Sequence, residues 1–212
     1  METPTMNYLT SFTPLHLDAL REVANIGAGH AATALSQLTG HRIMISVPTL
    51  NVARLEEVPP QLGEEEEPVA AVMMNMIGDL SGRTLLVFPN STSRRLASLM
   101  IGREVPDLLE FSELEQSAVK EAGNILSGAY LNALSEFLGL ILLPSPPGLA
   151  IDQSRAVLST AYLQFNQNRD YVFCVESEFL MQDVQEERLR GFFLLLPDDA
   201  SLHAMLRAAR VA

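Results

Sequence analysis

The sequence predicts an α+β fold: a pseudo-twofold duplicated unit of long helix, antiparallel strands and short helix, with one mixed or antiparallel sheet shared by both copies. Three observations predict it. A stretch near the N-terminus recurs 99 residues later without a gap. Each copy carries helix punctuation at both ends. After each copy come short, closely linked strand-like runs, which favour antiparallel pairing.

The repeat lays "DALREVANIGAGHAATALSQLTG" (Asp18–Gly40) over "SAVKEAGNILSGAYLNALSEFLG" (Ser117–Gly139). Identical pairs include Ala19/Ala118, Glu22/Glu121, Asn25/Asn124, Ile26/Ile125, Gly29/Gly128, Ser36/Ser135 and Gly40/Gly139, and further on Ser46/Ser145 and Pro48/Pro147. Helical stretches resemble one another by chance, but gapless identity at polar positions is much rarer.

The first helix is predicted over 13–39. Thr13 suits its N-cap and Pro14 its first turn. The second is predicted over 112–138, where Ser112 and Glu115 form a capping-box pattern. Gly40 and Gly139 suit left-handed C-terminal caps. Strand-like runs follow the first helix as "RIMISV", "TLNVARL", "PVAAVMMNMIG" and "SGRTLLVF". They follow the second as "LILLPSP", "GLAID", "AVLSTAYLQFNQ", "YVFCVESEFLMQ" and "RGFFLLLP". Short helices close the halves at "STSRRLASLMIG" and "DASLHAMLRAARV". The expected organisation is a single domain over 1–212 made of two homologous halves, about 12–103 and 111–212.

Composition narrows the function. Hydrophobic residues make up 48% of the 212, enough for a sizeable core. No apolar run reaches the roughly 18 residues that read as a membrane span, and the N-terminus lacks the pattern of a signal peptide. A cytoplasmic location without membrane insertion is therefore expected. The net charge of -12 argues against nucleic acid as a partner. The single cysteine, Cys174, excludes an internal disulfide and reads as a buried thiol. The acidic run Glu64 to Glu67 reads as a solvated loop tip.

The helices carry the informative pattern. At roughly 100° per residue, Asp18, Asn25, Gly29, Thr33 and Ser36 gather around Glu22. Leu20, Val23, Gly27, Ala31, Ala34 and Leu38 gather on the other side. The second helix repeats this, with Ser117, Glu121, Asn124, Gly128, Asn132 and Ser135 against Val119, Ala122, Leu126, Tyr130, Ala133 and Phe137. Gly27 lies on the apolar stripe and reads as a point of close packing. Gly29 and Gly128 lie on the polar stripes and leave the flanks of the asparagines open. Polar residues on an outer helix face are ordinary, but solvation alone does not require the same Glu and Asn in both copies.

Histidine offers no repeated chemistry: His30 is replaced by Ala129 and reads as a partly buried side chain. No cysteine–histidine spacing suggests zinc, and no phosphate-binding loop is present. An asparagine amide does not titrate and makes a poor general base. It does donate and accept hydrogen bonds, so it can orient a water molecule. Phosphoryl hydrolysis uses such positioning.

Asp18-x3-Glu22-x2-Asn25-x22-Pro48 and Ser117-x3-Glu121-x2-Asn124-x22-Pro147 resemble the paired signature motifs of the CheC family of chemotaxis phosphatases, within the wider CheC–CheX–FliY group. The resemblance implies hydrolysis of the aspartyl phosphate on the response regulator CheY. Asn25 and Asn124 would align the attacking water, and Glu22 and Glu121 would pair with a regulator lysine. Asp18, Ser117, Gly29, Gly128, Pro48 and Pro147 would support the motifs. Two intact motifs imply two competent sites, unlike the single-site CheX type. No cofactor is expected on this chain; the Mg²⁺ would belong to the phosphorylated regulator. The resemblance also implies the receptor deamidase CheD as a partner, with Asp152 at the contact; the alternative for Asp152 is a strand-end turn residue. The rival to catalysis is a non-catalytic module that binds phosphorylated CheY or scaffolds the flagellar switch.

Overall fold

The computed structural model describes residues 13–54, 57–58, 68–106, 110–164, 171–181 and 187–208. Helix α1 spans Pro14–Thr39 and is followed by strands β1 (Ile43–Ile45), β2 (Thr49–Arg54), β3 (Pro68–Gly78) and β4 (Gly82–Pro89), then helix α2 (Asn90–Ile101). The second half runs α3 (Glu113–Leu138), β5 (Leu142–Pro144), β6 (Gly148–Gln153), α4 (Ser154–Gln164), β7 (Tyr171–Met181), β8 (Glu187–Pro197) and α5 (Asp199–Ala208).

Both long helices start on a reciprocal cap. Thr13 Oγ1 accepts the His16 N–H at 3.3 Å, and His16 Nδ1 accepts the Thr13 N–H at 3.2 Å. Ser112 Oγ accepts the Glu115 N–H at 3.4 Å, and the Glu115 carboxylate accepts the Ser112 N–H at 2.8 Å. Each pair satisfies donors that the first turn leaves open. Burial of His16 in the first turn of α1 was not legible from its spacing. Gly40 and Gly139 end the helices at φ 70° and 66°, a left-handed region in which a side chain is strained.

The eight strands form one antiparallel sheet in the order β1-β7-β8-β4-β3-β5, with β2 also on β7 and β6 also on β3. The halves thus exchange strands. The strands after α1 pair with β7 of the second half, Ile43 opposite Met181 and Thr49 opposite Glu176. The strands after α3 pair with β3 of the first, Leu142 opposite Gly78 and Gly148 opposite Met73. The central β4–β8 pairing joins the halves, with Leu85 opposite Leu194.

Strand alternation gives the sheet two apolar faces. One face, with Val72, Leu86, Phe88, Phe179 and Phe193, forms the main core with α1 and α3. The other face, with Val69, Val87, Cys174, Phe192 and Leu194, forms a second core with Val157 and Leu158 of α4. Residues 156–164 of the predicted strand "AVLSTAYLQFNQ" lie in that helix. Its β-branched and aromatic residues suggest a strand, but Ser154, Val157 and Leu158 are buried at helical spacing over the far sheet face. The acidic run at 64–67 lies outside the described residues.

Two glycines set how closely the long helices approach. A Cβ on Gly27 would stand 2.6 Å from Tyr130 Cδ1 and 3.1 Å from the Tyr130 Cα, so α1 and α3 touch there with no room for a side chain. A Cβ on Gly123 would stand 2.4 Å from Val72 Cγ2, so α3 lies as close to the sheet. Tyr130 stacks on Phe193 with ring centroids 4.6 Å apart, and its hydroxyl shares a 2.6 Å hydrogen bond with that of Ser177.

Candidate active site

The roll of each long helix about its axis decides what it shows to solvent. The Gly27–Tyr130 and Gly123–Val72 contacts fix that roll. On α1, Leu20, Val23, Ala24, Gly27, Ala28, Ala31, Ala32 and Leu35 turn inward. This face is wider than the predicted stripe and shifted from it: Ala34 is half-buried and Leu38 is 39% exposed. The alanines at 24, 28 and 32 carry too little hydropathy contrast to mark the inner side.

The opposite faces present the predicted motif residues. Asp18, Glu22 and Asn25 are exposed on α1; Ser117 and Glu121 are exposed on α3, with Asn124 half-buried. Among the described residues, the side chains of Glu22, Asn25, Glu121 and Asn124 make no hydrogen bond or ion pair, so their polar atoms face outward unspent. Asp18 differs, pairing with Arg21 at 2.8 Å on the same surface. Gly29 and Gly128 have nothing within 4 Å of a built Cβ, so the flank beside each asparagine is open.

Several predicted stripe members have structural duties instead. Ser36 Oγ donates to the Ala32 carbonyl at 2.8 Å and accepts the Ile43 N–H at 3.0 Å, tying the end of α1 to β1. Ser135 donates to the Leu140 carbonyl in the equivalent corner. Thr33 folds back onto the Gly29 carbonyl at 2.9 Å. His30 is exposed rather than partly buried, since it lies outside the set of α1 residues that turn inward.

The motif prolines sit on other elements. Pro48 and Pro147 are half-buried in the β1–β2 and β5–β6 connections. The serines two residues earlier anchor those connections: the Ser46 N–H donates to the Glu178 carbonyl and the Ser145 N–H to the Asn75 carbonyl, both at 2.9 Å. Asp152 is exposed near the end of β6 and accepts the Gln153 N–H at 2.7 Å.

The outward stripe also continues one turn further toward each N-terminus than the sequence reading took it, to Leu15 and Leu114. Their identity across the repeat was the available signal.

The buried thiol of Cys174 and hydroxyl of Tyr130 are unsuited to catalysis. Burial pushes the Cys174 thiol up to about 12, and Glu176 adds to the shift, so it is no nucleophile near neutral pH. Burial likewise raises the Tyr130 hydroxyl to about 12. Among the described residues no three His, Cys, Asp or Glu side chains gather as a metal site. No described helix is long and apolar enough to cross a membrane.

Comparison with known proteins gives the family. The CheC-like family pattern matches residues 15–52 and 114–151, the two segments that hold the motifs. The chain is 34% identical to the CheY-P phosphatase CheC of Bacillus subtilis (strain 168), over 91% of this chain and 92% of that protein. This chain belongs to the CheC family. It is also 30% identical to the flagellar motor switch phosphatase FliY of the same organism, over 69% of this chain and 38% of FliY. Among solved structures, Thermotoga maritima FliY superposes with a TM-score of 0.77 at 26% identity, covering 94% of this chain and 98% of that one.

Proposed function

We propose that this CheC-family chain is a chemotaxis phosphatase that hydrolyses the aspartyl phosphate of a CheY-like receiver domain, at two sites. Asn25 and Asn124 each orient a water for in-line attack on phosphorus; the bond to the aspartyl oxygen breaks and phosphate leaves. Glu22 and Glu121 each dock on a receiver lysine. Such a pair is worth about 1.5–3 kcal/mol when its hydrogen bonds are charge-assisted. Mg²⁺ and the phosphoaspartate come with the receiver, so this chain supplies only positioning groups.

The observation that carries this reading is the pair of outward stripes. Both copies hold Glu and Asn, one turn apart, exposed or half-exposed and without partners among the described residues. A glycine with open space follows each asparagine. Asparagines that served the fold would be hydrogen-bonded within it.

One second reading is a module that holds the phosphorylated receiver without turning it over, since an exposed Glu and Asn on each helix would serve binding alone as well. Phosphate release from phosphorylated receiver separates the two. Wild type accelerates release, and the Asn25→Ala/Asn124→Ala double variant does not. Full activity in the double variant removes the asparagines from catalysis. Binding by wild type without acceleration leaves the scaffold. CheD is proposed as a further partner through Asp152; Asp152→Ala then loses CheD binding while keeping phosphatase activity.

A further inference from the structure

We infer that Leu15 and Leu114 are the apolar anchors by which the receiver domain seats on each helix, an inference that rests on the proposed function. Both are large apolar side chains left in solvent, 63% and 57% exposed. A single exposed leucine needs no explanation. These two occupy the same position of the repeat, while Pro14, His16 and Leu17 of the first copy align with the unlike Glu113, Glu115 and Gln116 of the second; Phe12 also matches Phe111.

Local structure does not require leucine there. Each leucine is the second residue of its helix, and the caps are completed by other residues, Thr13 with His16 and Ser112 with Glu115. Neither leucine belongs to the apolar cores.

Their position on the helix carries the inference. Leu15 precedes Glu22 by seven residues, as Leu114 precedes Glu121. At 100° and 1.5 Å per residue, each leucine lies about 20° around the axis from its glutamate and roughly 10 Å along it. Leucine, Asp18 or Ser117, glutamate and asparagine therefore form one continuous line on each helix. A receiver that brings its phosphoaspartate to Asn25 and its lysine to Glu22 extends along this line and covers Leu15. A leucine covered at that edge excludes water from the glutamate–lysine pair, the arrangement that makes a buried anchor flanked by charge effective.

The test compares wild type, Leu15→Ala/Leu114→Ala, Leu15→Met/Leu114→Met and Asn25→Ala/Asn124→Ala. Each is titrated against beryllofluoride-activated receiver and assayed for phosphate release. The alanine pair is expected to bind about tenfold more weakly, as loss of buried leucine surface at an anchor predicts. KM rises to match and kcat stays within about twofold, while methionine restores most of the affinity. The asparagine pair keeps its affinity. Unchanged affinity in the alanine pair overturns the inference, as does a fall in kcat at constant KM. A wild-type dimer that the alanine pair abolishes, with receiver affinity intact, also overturns it and makes a second copy the occupant. Failure of both wild type and the asparagine pair to bind receiver removes the functional reading itself, and this inference with it.

Discussion

The two long helices agree at three motif positions that face outward and differ at their closest packing contacts. Outside, Glu22 matches Glu121, Asn25 matches Asn124 and Gly29 matches Gly128. Inside, the close approaches have moved. Gly27 admits Tyr130 on α1, where α3 has the fully buried Leu126; Gly123 admits Val72 on α3, where α1 has Ala24. Packing found two different solutions for the same pair of layers, so packing does not explain why the outer residues stayed the same. The difference places the shared constraint on the solvent side, the face proposed to receive a partner.

The largest expected effect breaks the outer likeness. Asn25→Ala and Asn124→Ala each leave one working site, and together they cut turnover by about 100-fold, the scale of losing a preorganised positioning group. Both keep thermal stability near wild type. Unequal single variants in a phosphate-release assay would rank the two sites and show that their likeness is incomplete.

Next come the glycines, whose sign separates inner from outer face. Gly27→Ala and Gly123→Ala force a Cβ to within 2.6 and 2.4 Å of a neighbour, and overpacking of that kind costs about 1–3 kcal/mol. Gly29→Ala and Gly128→Ala enter open space within a helix and stabilise by about 0.5–1 kcal/mol. Urea denaturation reads both. The outer pair should lose affinity for the receiver while gaining stability, since the added methyl stands on the proposed docking side.

A subtler difference lies in the caps. The Ser112 N–H bonded to the Glu115 carboxylate holds it below the ordinary glutamate range, with Ser112 Oγ and the nearby Arg103 and Arg94 assisting against burial. A lowered folded pKa means this contribution is whole above the ordinary value of about 4.3 and is lost as pH falls through the lowered one. Melting curves from pH 6 to pH 3 should show wild type above Glu115→Gln, with the gap closing on acidification. The cap of α1 has no carboxylate and lacks this loss.

The smallest effect concerns Asp18 and Ser117. The Asp18–Arg21 pair is 69% and 55% exposed, so Asp18→Ser should cost only a few tenths of a kcal/mol. Ser117→Asp, three residues before Lys120, should return about as much in a thermal melt.

Much of the molecule was legible before any coordinates. Caps and C-terminal glycines act within a few residues, so both long helices end within about one residue of their predicted limits. The period of 3.6 placed Glu22, Asn25 and their copies on one outward line, because azimuth depends only on spacing. Local signals misjudged α4, whose composition resembles a strand and whose helical state depends on the apolar sheet face beneath it. They also placed Ser36 and Ser135 among the surface residues, since their partners arrive from the following chain.

The sequence by itself determined the duplication, the long helices and the motif residues on each outer face. It also contained the repeated Leu15 and Leu114. Only the tertiary structure decided that the halves exchange strands, because antiparallel pairing within a half and between halves satisfies the same backbone groups. It alone showed which glycines are crowded and which are open, since that depends on what stands opposite. The roll that turns Glu22 and Asn25 outward is held by Tyr130, more than 100 residues away, and no local pattern contains that contact.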